Sequence, residues 1–234
     1  ICYLNGTFLE LDNASISPLD RGFLFGDSVY EVIAAYRKTL FKIDDHIDRL
    51  EKNLKSLSIN IDLDNLEIES ILRKVCEKNS EENQIIYLQI SRGAEAIRNH
   101  IPREDTEPTI FICSFELKNL PSENNDSIKA VLNSDIRWKK SSIKSNSLLA
   151  NVLYKMQANE AGYDELLMSD NGFLTEGAVS NVFCVKKNKV FTPPLDSNIL
   201  PGVTRKVIIE IIRELNLSYE EVKIDEKFLF DSDE

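Results

Sequence analysis

The chain has 234 residues, 42% apolar and 29% charged, within or near the range of an ordinary soluble globular protein. That length can bury a sizeable core without disulfides or a metal, and no apolar run approaches the roughly 18 residues of a membrane-spanning helix. Thirty-nine acidic against 28 basic residues give a formal net charge of -11, which argues against a general nucleic-acid binder but allows one small anion at a local positive pocket.

Residues 29–36, rich in β-branched and aromatic side chains, and residues 40–43, after a short polar turn, predict a β-hairpin. Ile47, Leu50, Leu54 and Leu57 then recur at helical spacing, with Asp44 or Asp45 as the N-cap. A second helix is expected over 65–78, and buried strands over 84–91 and 109–114. Residues 117–127, with Pro121 and few apolar side chains, are the expected linker between a domain of residues 1–116 and one of 128–234.

In the second half, 128–132 is strand-like and 148–161 is helical, stopped by Gly162. Strands are expected around 164–168, 179–185 and 189–192, with Asn171-Gly172 suited to a tight hairpin turn. Residues 203–215 form an amphipathic helix, with Val203, Val207, Ile208, Ile211, Ile212 and Leu215 on one stripe. A further helix begins near Asp225, so a domain ending at Glu234 is expected to be incomplete. The mixture of strands and helices in two halves predicts an α+β or mixed α/β fold.

The four cysteines (Cys2, Cys76, Cys113 and Cys184) form no C-x-x-C pair, and two histidines are too few for a Cys/His zinc site. Three of the four lie in apolar surroundings and read as core residues in a reducing compartment, so a cytoplasmic enzyme or binding protein is expected. The first residues show no basic stretch followed by an apolar one, so no signal peptide is expected there. A first residue of Ile1 rather than Met leads to the expectation that translation starts further upstream.

The stretch from Leu174 to Arg205 is the richest in chemistry. Gly202 directly precedes the amphipathic helix, so the amides of Val203 and Thr204 point outward at its positive end, a physical site for a phosphate or carboxylate. A glycine before a helix is by itself most often a plain turn. Here it stands in a longer pattern: Glu176-Gly177-Ala178-Val179-Ser180-Asn181-Val182-Phe183, then Val190-Phe191-Thr192, then Leu200-Pro201-Gly202-Val203-Thr204-Arg205. That pattern resembles the signature of class IV (fold type IV) pyridoxal-phosphate-dependent aminotransferases, and it agrees at every specified position: Glu176, Ala178, Asn181, Val182, Phe183, Val190, Thr192, Leu200, Gly202, Val203 and Arg205.

The resemblance covers essentially the whole chain. The run from Asp20 to Glu31 is similar to the family's N-terminal block, and His46-Ile47-Asp48-Arg49-Leu50 to its next helix. Asp135-Ile136-Arg137-Trp138 followed by Ile143-Lys144-Ser145-Asn146 resembles its lysine segment. Among subfamilies the chain is most similar to D-amino acid (D-alanine) aminotransferases, because Arg98-Asn99-His100-Ile101-Pro102 matches their Arg-x-His followed by a proline. The resemblance implies fold type IV, with a small N-terminal α/β domain and a larger C-terminal pseudo-barrel domain that binds pyridoxal 5'-phosphate.

Roles follow from the resemblance, each with an ordinary competitor. Lys144 would bond to the cofactor aldehyde and move a proton, which suits an amine that can lose its charge in a desolvated pocket; otherwise it is one more solvated lysine beside Lys139 and Lys140. Glu176 would accept a hydrogen bond from the pyridine nitrogen and keep it protonated; otherwise it is a solvated acid at a strand edge. Arg49, off the apolar stripe of its helix, would pair with the phosphate, where an exposed helix face is the plain alternative. Val203 and Thr204 would add backbone amides to that phosphate. Ser180 and Asn181 would line the cofactor, or else begin a strand with a local hydrogen bond. Tyr30, Arg98 and His100 would hold the substrate carboxylate, the last two contributed across a homodimer interface; a core tyrosine and two solvated loop residues are the ordinary readings.

The resemblance implies a transaminase acting on a D-alanine-like amino acid and a 2-oxo acid. A 4-amino-4-deoxychorismate lyase shares the fold and cofactor but tends to have Lys-His-Leu-Asn-Arg where this chain has Lys144-Ser145-Asn146-Ser147-Leu148. A branched-chain amino acid aminotransferase is disfavoured by the Arg98/His100 pair. A non-catalytic anion-binding homologue would draw its support from the early end of the chain.

Overall fold

The computed structural model describes residues 1–118 and 127–234; most of the expected linker, 119–126, lies outside the described residues. Two compact units result, one of residues 1–118 with Lys144–Ser147, the other of residues 127–143 with 148–234.

In the first unit, Cys2–Leu4 (β1) and Thr7–Leu9 (β2) form a hairpin whose turn residues Asn5 and Gly6 both take positive φ, the backbone such a tight turn requires. Arg21–Phe25 (α1) is capped by the Asp20 carboxylate, which accepts from the Gly22 amide at 2.8 Å. Then come Ser28–Tyr36 (β3), Thr39–Leu40 (β4), Ile43–Ser56 (α2), Ile68–Lys78 (α3), Gln84–Ser91 (β5) and Thr109–Glu116 (β6). The six strands make one antiparallel sheet in the order β2-β1-β6-β5-β3-β4. Period-2 alternation puts Val29, Ile33, Ile86, Leu88, Ile90 and Ile112 on the buried face, while α2 and α3 bury Leu50, Leu54, Leu72 and Val75. Each such side chain contributes about 1.5–3 kcal/mol of burial.

Several boundaries differ from expectation. The strand expected over 40–43 is Thr39–Leu40, and Ile43 opens α2 instead. The N-cap of α2 is Lys42 in the left-handed region, and Asp44 and Asp45 sit in the first turn, where negative charge suits the helix dipole. The second helix starts at Ile68 rather than 65 because Asn65 is held in a turn by Asp62, through its amide at 3.0 Å and its side chain at 2.6 Å; local side-chain bonds of this kind compete with helix.

The second unit comprises Ala130–Ser134 (β7), Leu149–Glu160 (α4), Glu165–Asp170 (β8), Phe173–Gly177 (β9), Cys184–Lys186 (β10), Lys189–Thr192 (β11), Val203–Glu214 (α5), Tyr219–Glu221 (β12) and Glu226–Phe230 (α6). One sheet runs β7-β8-β9, parallel then antiparallel, and the other β10-β11-β12, antiparallel then parallel. The β8–β9 hairpin turns on Asn171 and Gly172, both at positive φ, as the Asn-Gly pair predicts. Tyr154 and Ala158 of α4 pack with Leu166, Met168 and Ala178, while Leu174, Cys184 and Ile224 form a second cluster. All four cysteines are buried and free.

The strand expected over 179–185 is a correction: only its end, from Cys184, is strand, and the sequence reading did not anticipate β9. The chain turns instead, because the Gly177 amide donates to Ser180 O at 2.8 Å and the Ser180 hydroxyl to Glu165 Oε2 at 3.0 Å. A Cβ at Gly177 would collide with Ser180 Oγ and turn that hydroxyl away from Glu165. No helix among the described residues is long and apolar enough to cross a membrane, and no group of His, Cys, Asp and Glu there could hold a metal ion.

Candidate functional site

Glu176, near the end of β9, is buried in the second unit at 4% exposure. Its Oε1 accepts from Arg137 Nη1 at 2.5 Å, its Oε2 from Asn181 Nδ2 at 3.0 Å, and the Leu200 amide lies 3.2 Å from both oxygens. Arg137 also donates to Asp135 at 3.1 and 2.7 Å and to Asn198 O at 2.9 Å. Two buried acids thus share one guanidinium. Burial pushes the Glu176 carboxyl up to about 7, although Arg137 and the Leu200 amide pull it down. Asp135 goes the other way: burial raises it, but bonds from Arg137 and Thr175 more than offset this and leave it below the ordinary carboxylate range.

Asn181 joins this acid to the start of α5. Its amide also donates to Leu200 O at 3.0 Å, and a Cβ on Gly202 would collide with its side-chain oxygen. A side chain at 202 would therefore push the Asn181 amide off Glu176 and Leu200. Gly202 is the N-cap of α5 and offers no side-chain cap, so the first amides of this 12-residue helix, Val203 and Thr204 among them, form the positive end that suits an anion. Val203 is buried and Thr204 exposed. Arg205, a signature residue, is structural: it donates to Pro193 O at 3.0 Å and Glu221 Oε2 at 2.7 Å. Ser180 is exposed and bonded to Glu165.

In the first unit, Arg49 is buried rather than on an exposed helix face. Its Nε donates to Glu31 Oε1 at 2.8 Å and its Nη2 to Glu31 Oε2 at 2.6 Å, while His46 Nδ1 lies 2.7 Å from Oε2. Burial raises the Glu31 carboxyl, but the bonds from Arg49 and His46 outweigh it and hold it below its ordinary range.

Lys144 lies in the same unit, half-buried, with Nζ 4.2 Å from the centre of the Tyr30 ring, a cation–π distance. Its segment adds to the edge of β3: Ser145 bridges Val29, and the Tyr30 amide donates to Lys144 O at 3.0 Å. Asn146 Nδ2 donates to Gln89 Oε1 at 2.9 Å and Tyr87 Oη at 3.2 Å. Arg98 and His100 are exposed and meet on Phe25, the guanidinium 4.6 Å and the imidazole ring 5.3 Å from its centre. Tyr30 is thus placed with Lys144, and Arg98 with His100.

Glu31, His46, Asp135 and Arg137 were not picked out as site residues by sequence reasoning. Two signals were available: a glutamate at a core-facing position of an alternating strand, and histidine and arginine three apart on one helix.

The sequence profile of amino-transferase class IV matches residues 28–234. The chain is 34% identical over 230 residues to the D-alanine aminotransferase of Bacillus licheniformis, covering 98% of this chain and 81% of that protein. It is 36% identical over 237 residues to a putative branched-chain-amino-acid aminotransferase of Methanocaldococcus jannaschii, covering 99% and 81%. Among solved structures, the branched-chain amino acid aminotransferase from Escherichia coli superposes with a TM-score of 0.89 at 26% identity, over 99% of this chain and 79% of that one. Its fold is therefore that of the fold type IV aminotransferases, and the chain belongs to the class IV aminotransferase family of pyridoxal-phosphate-dependent enzymes.

Proposed function

We propose that this aminotransferase moves an amino group between a D-alanine-like amino acid and a 2-oxo acid, with pyridoxal 5'-phosphate as its cofactor. The observation that carries the substrate reading is the Arg98-x-His100 pair, both side chains exposed and gathered on Phe25. Similarity to D-alanine aminotransferases supports it.

The residues present fit the cofactor. The cluster of Glu176, Asp135 and Arg137 has one more acid than base, and a buried carboxyl raised to about 7 suits a cationic N–H donor. Gly202 keeps a helix start clear of side chain, and among the described residues Asn146 Oδ1 and Asn198 Oδ1 are buried without a hydrogen-bond partner. When bound, pyridoxal phosphate supplies an aldehyde that can be joined to an amine and a ring that withdraws electrons. Lys144 would bind the aldehyde and, once the substrate amine has displaced it, would take the proton from the substrate Cα and pass it to the carbon that had been the aldehyde. Glu176 would hold the ring nitrogen protonated, with Asn181 and Ser180 near the ring. Arg49 and the amides of Val203 and Thr204 would hold the phosphate, and Tyr30, Arg98 and His100 the substrate carboxylate. We further propose a homodimer working in the cytoplasm, where four buried free thiols suit a reducing compartment.

The test is incubation with D-alanine and 2-oxoglutarate, in which formation of D-glutamate and pyruvate is expected. Pyruvate from aminodeoxychorismate, without D-glutamate from D-alanine, would favour the lyase. A second reading, transfer from branched-chain L-amino acids, is favoured by the similarity to the putative branched-chain enzyme, and turnover of L-leucine in place of D-alanine would establish it. Borohydride reduction and peptide mapping should leave a pyridoxyl group on Lys144; no adduct there refutes the assigned lysine.

A further inference from the structure

The connection between β5 and β6 carries Arg98 and His100, and among the described residues its only pairing with regular character is a single bridge between Asp20 and Ala94. A connection this long without secondary structure of its own needs side chains to hold it. Arg21 supplies that hold. It is buried at 4% exposure; its Nη1 donates to Asn99 O at 2.6 Å, its Nη2 to His100 O at 3.0 Å, and its Nε to Asp27 Oδ2 at 2.9 Å. Arg92 fixes Asp27 from the other side with bonds of 2.8 and 3.0 Å, and itself donates to the carbonyls of Leu57 and Ser58. Glu95 Oε2 lies 3.5 Å from Arg21 Nη1, and its Oε1 ties down the return of the loop by accepting from the Arg103 amide and the Thr106 hydroxyl, both at 2.9 Å. The Phe25 ring closes the arrangement, with Arg21 at 4.9 Å and Arg98 at 4.6 Å.

The peptide groups that flank and carry His100 are therefore pinned from the main-chain side by one guanidinium, while the Arg98 and His100 side chains rest on one ring. Only a planar fork can serve two carbonyls and a carboxylate together; a lysine ammonium has the charge but not the reach.

We propose that Arg21 is a positioning residue for substrate-carboxylate recognition, holding residues 98–100 in the conformation that presents Arg98 and His100. The proposal rests on the reading of those two residues as carboxylate-binding.

The test compares Arg21→Lys and Arg98→Gln in the holoenzyme, by steady-state kinetics with D-alanine and 2-oxoglutarate (or L-leucine as donor where D-alanine is not turned over) and by amide hydrogen exchange over residues 94–107. Arg21→Lys is expected to raise KM for the amino acid about tenfold, leave kcat within about twofold, leave the absorption of bound cofactor unchanged, and speed exchange in the loop. Arg98→Gln is expected to raise KM without speeding exchange. If Arg98→Gln raises KM and Arg21→Lys does not, the positioning role is overturned and the carboxylate reading stands. If Arg98→Gln leaves KM unchanged, both fall. A loss of cofactor and of kcat in Arg21→Lys overturns the proposal in favour of a general structural role. Should Arg21→Lys fail to fold, Glu95→Gln is measured in the same way: a smaller rise in KM with faster exchange supports the proposal, and no change in either overturns it.

Discussion

Glu176 gives the prediction with the most direct link from geometry to measurement. Its carboxyl, ordinarily at 4.5, is raised to about 7 in the folded protein by burial. Between those values the folded protein keeps a proton that the unfolded chain has released, so stability falls as pH rises through the window. At about 1.4 kcal/mol per pH unit of separation, the full cost is on the order of 3 kcal/mol at pH 8 and absent near pH 4. Glu176→Gln removes this titration while keeping the side chain's size. In cofactor-free protein, urea unfolding of the two forms at pH 4.5, 6 and 8 should show the variant gaining about 3 kcal/mol on the wild type across the range. Any loss from mismatched hydrogen bonds with Arg137 or Asn181 is a constant offset, and groups common to both proteins largely cancel in the difference. With pyridoxal phosphate bound the gain should shrink, because a cationic donor favours the ionised carboxylate. A difference between the two proteins that stays constant within about 0.5 kcal/mol from pH 4.5 to 8 would refute the reasoning.

Gly202→Ala should lower stability by about 1–3 kcal/mol, because the new Cβ displaces Asn181 from Glu176 and Leu200; an unchanged melting temperature would show that the approach is not tight. Glu31→Gln leaves the buried Arg49 guanidinium without its counter-charge, a loss of about 3–5 kcal/mol in urea unfolding at pH 7. Because the Glu31 carboxyl is held below its ordinary value, its contribution is present above the unfolded value and lost as pH falls through the folded one. The deficit of Glu31→Gln should therefore narrow in acid, and a deficit independent of pH would contradict the ion pair. Leu88→Ala, at a site 1% exposed in the central strand β5, should cost about 2–5 kcal/mol by the same assay.

Much of the framework was legible in the chain itself. The alternation of β3 and β5 expresses a period of 2 that depends only on neighbours in sequence, and Asn171-Gly172 specifies its turn through backbone sterics alone. The stripe expected on α5 is a correction: Val203 and Ile212 are buried, but Ile211 and Leu215 are exposed while Arg205 and Ile209 are buried, because the ion pair of Arg205 with Glu221 turns a charged residue inward. The family signature could be read because Glu176, Gly202 and their flanking residues keep fixed spacing. Where local side-chain bonds compete with regular structure, the reading slipped. Asn65 is held by Asp62 ahead of α3, and Ser180 is drawn to Glu165 where a strand was expected.

The charge pairing was decided by the tertiary structure. Glu176 meets Arg137, 39 positions away, and Glu31 meets Arg49, 18 away, so no local pattern could name either partner. The same holds for Lys144, whose segment joins the sheet of the first unit although sequence order sets it among residues of the second. Periodicity along a chain determines which side chains leave water. How much an ion pair is worth in the low-dielectric interior depends on which groups the fold brings within about 3 Å of each other, and only the folded chain contains that distance.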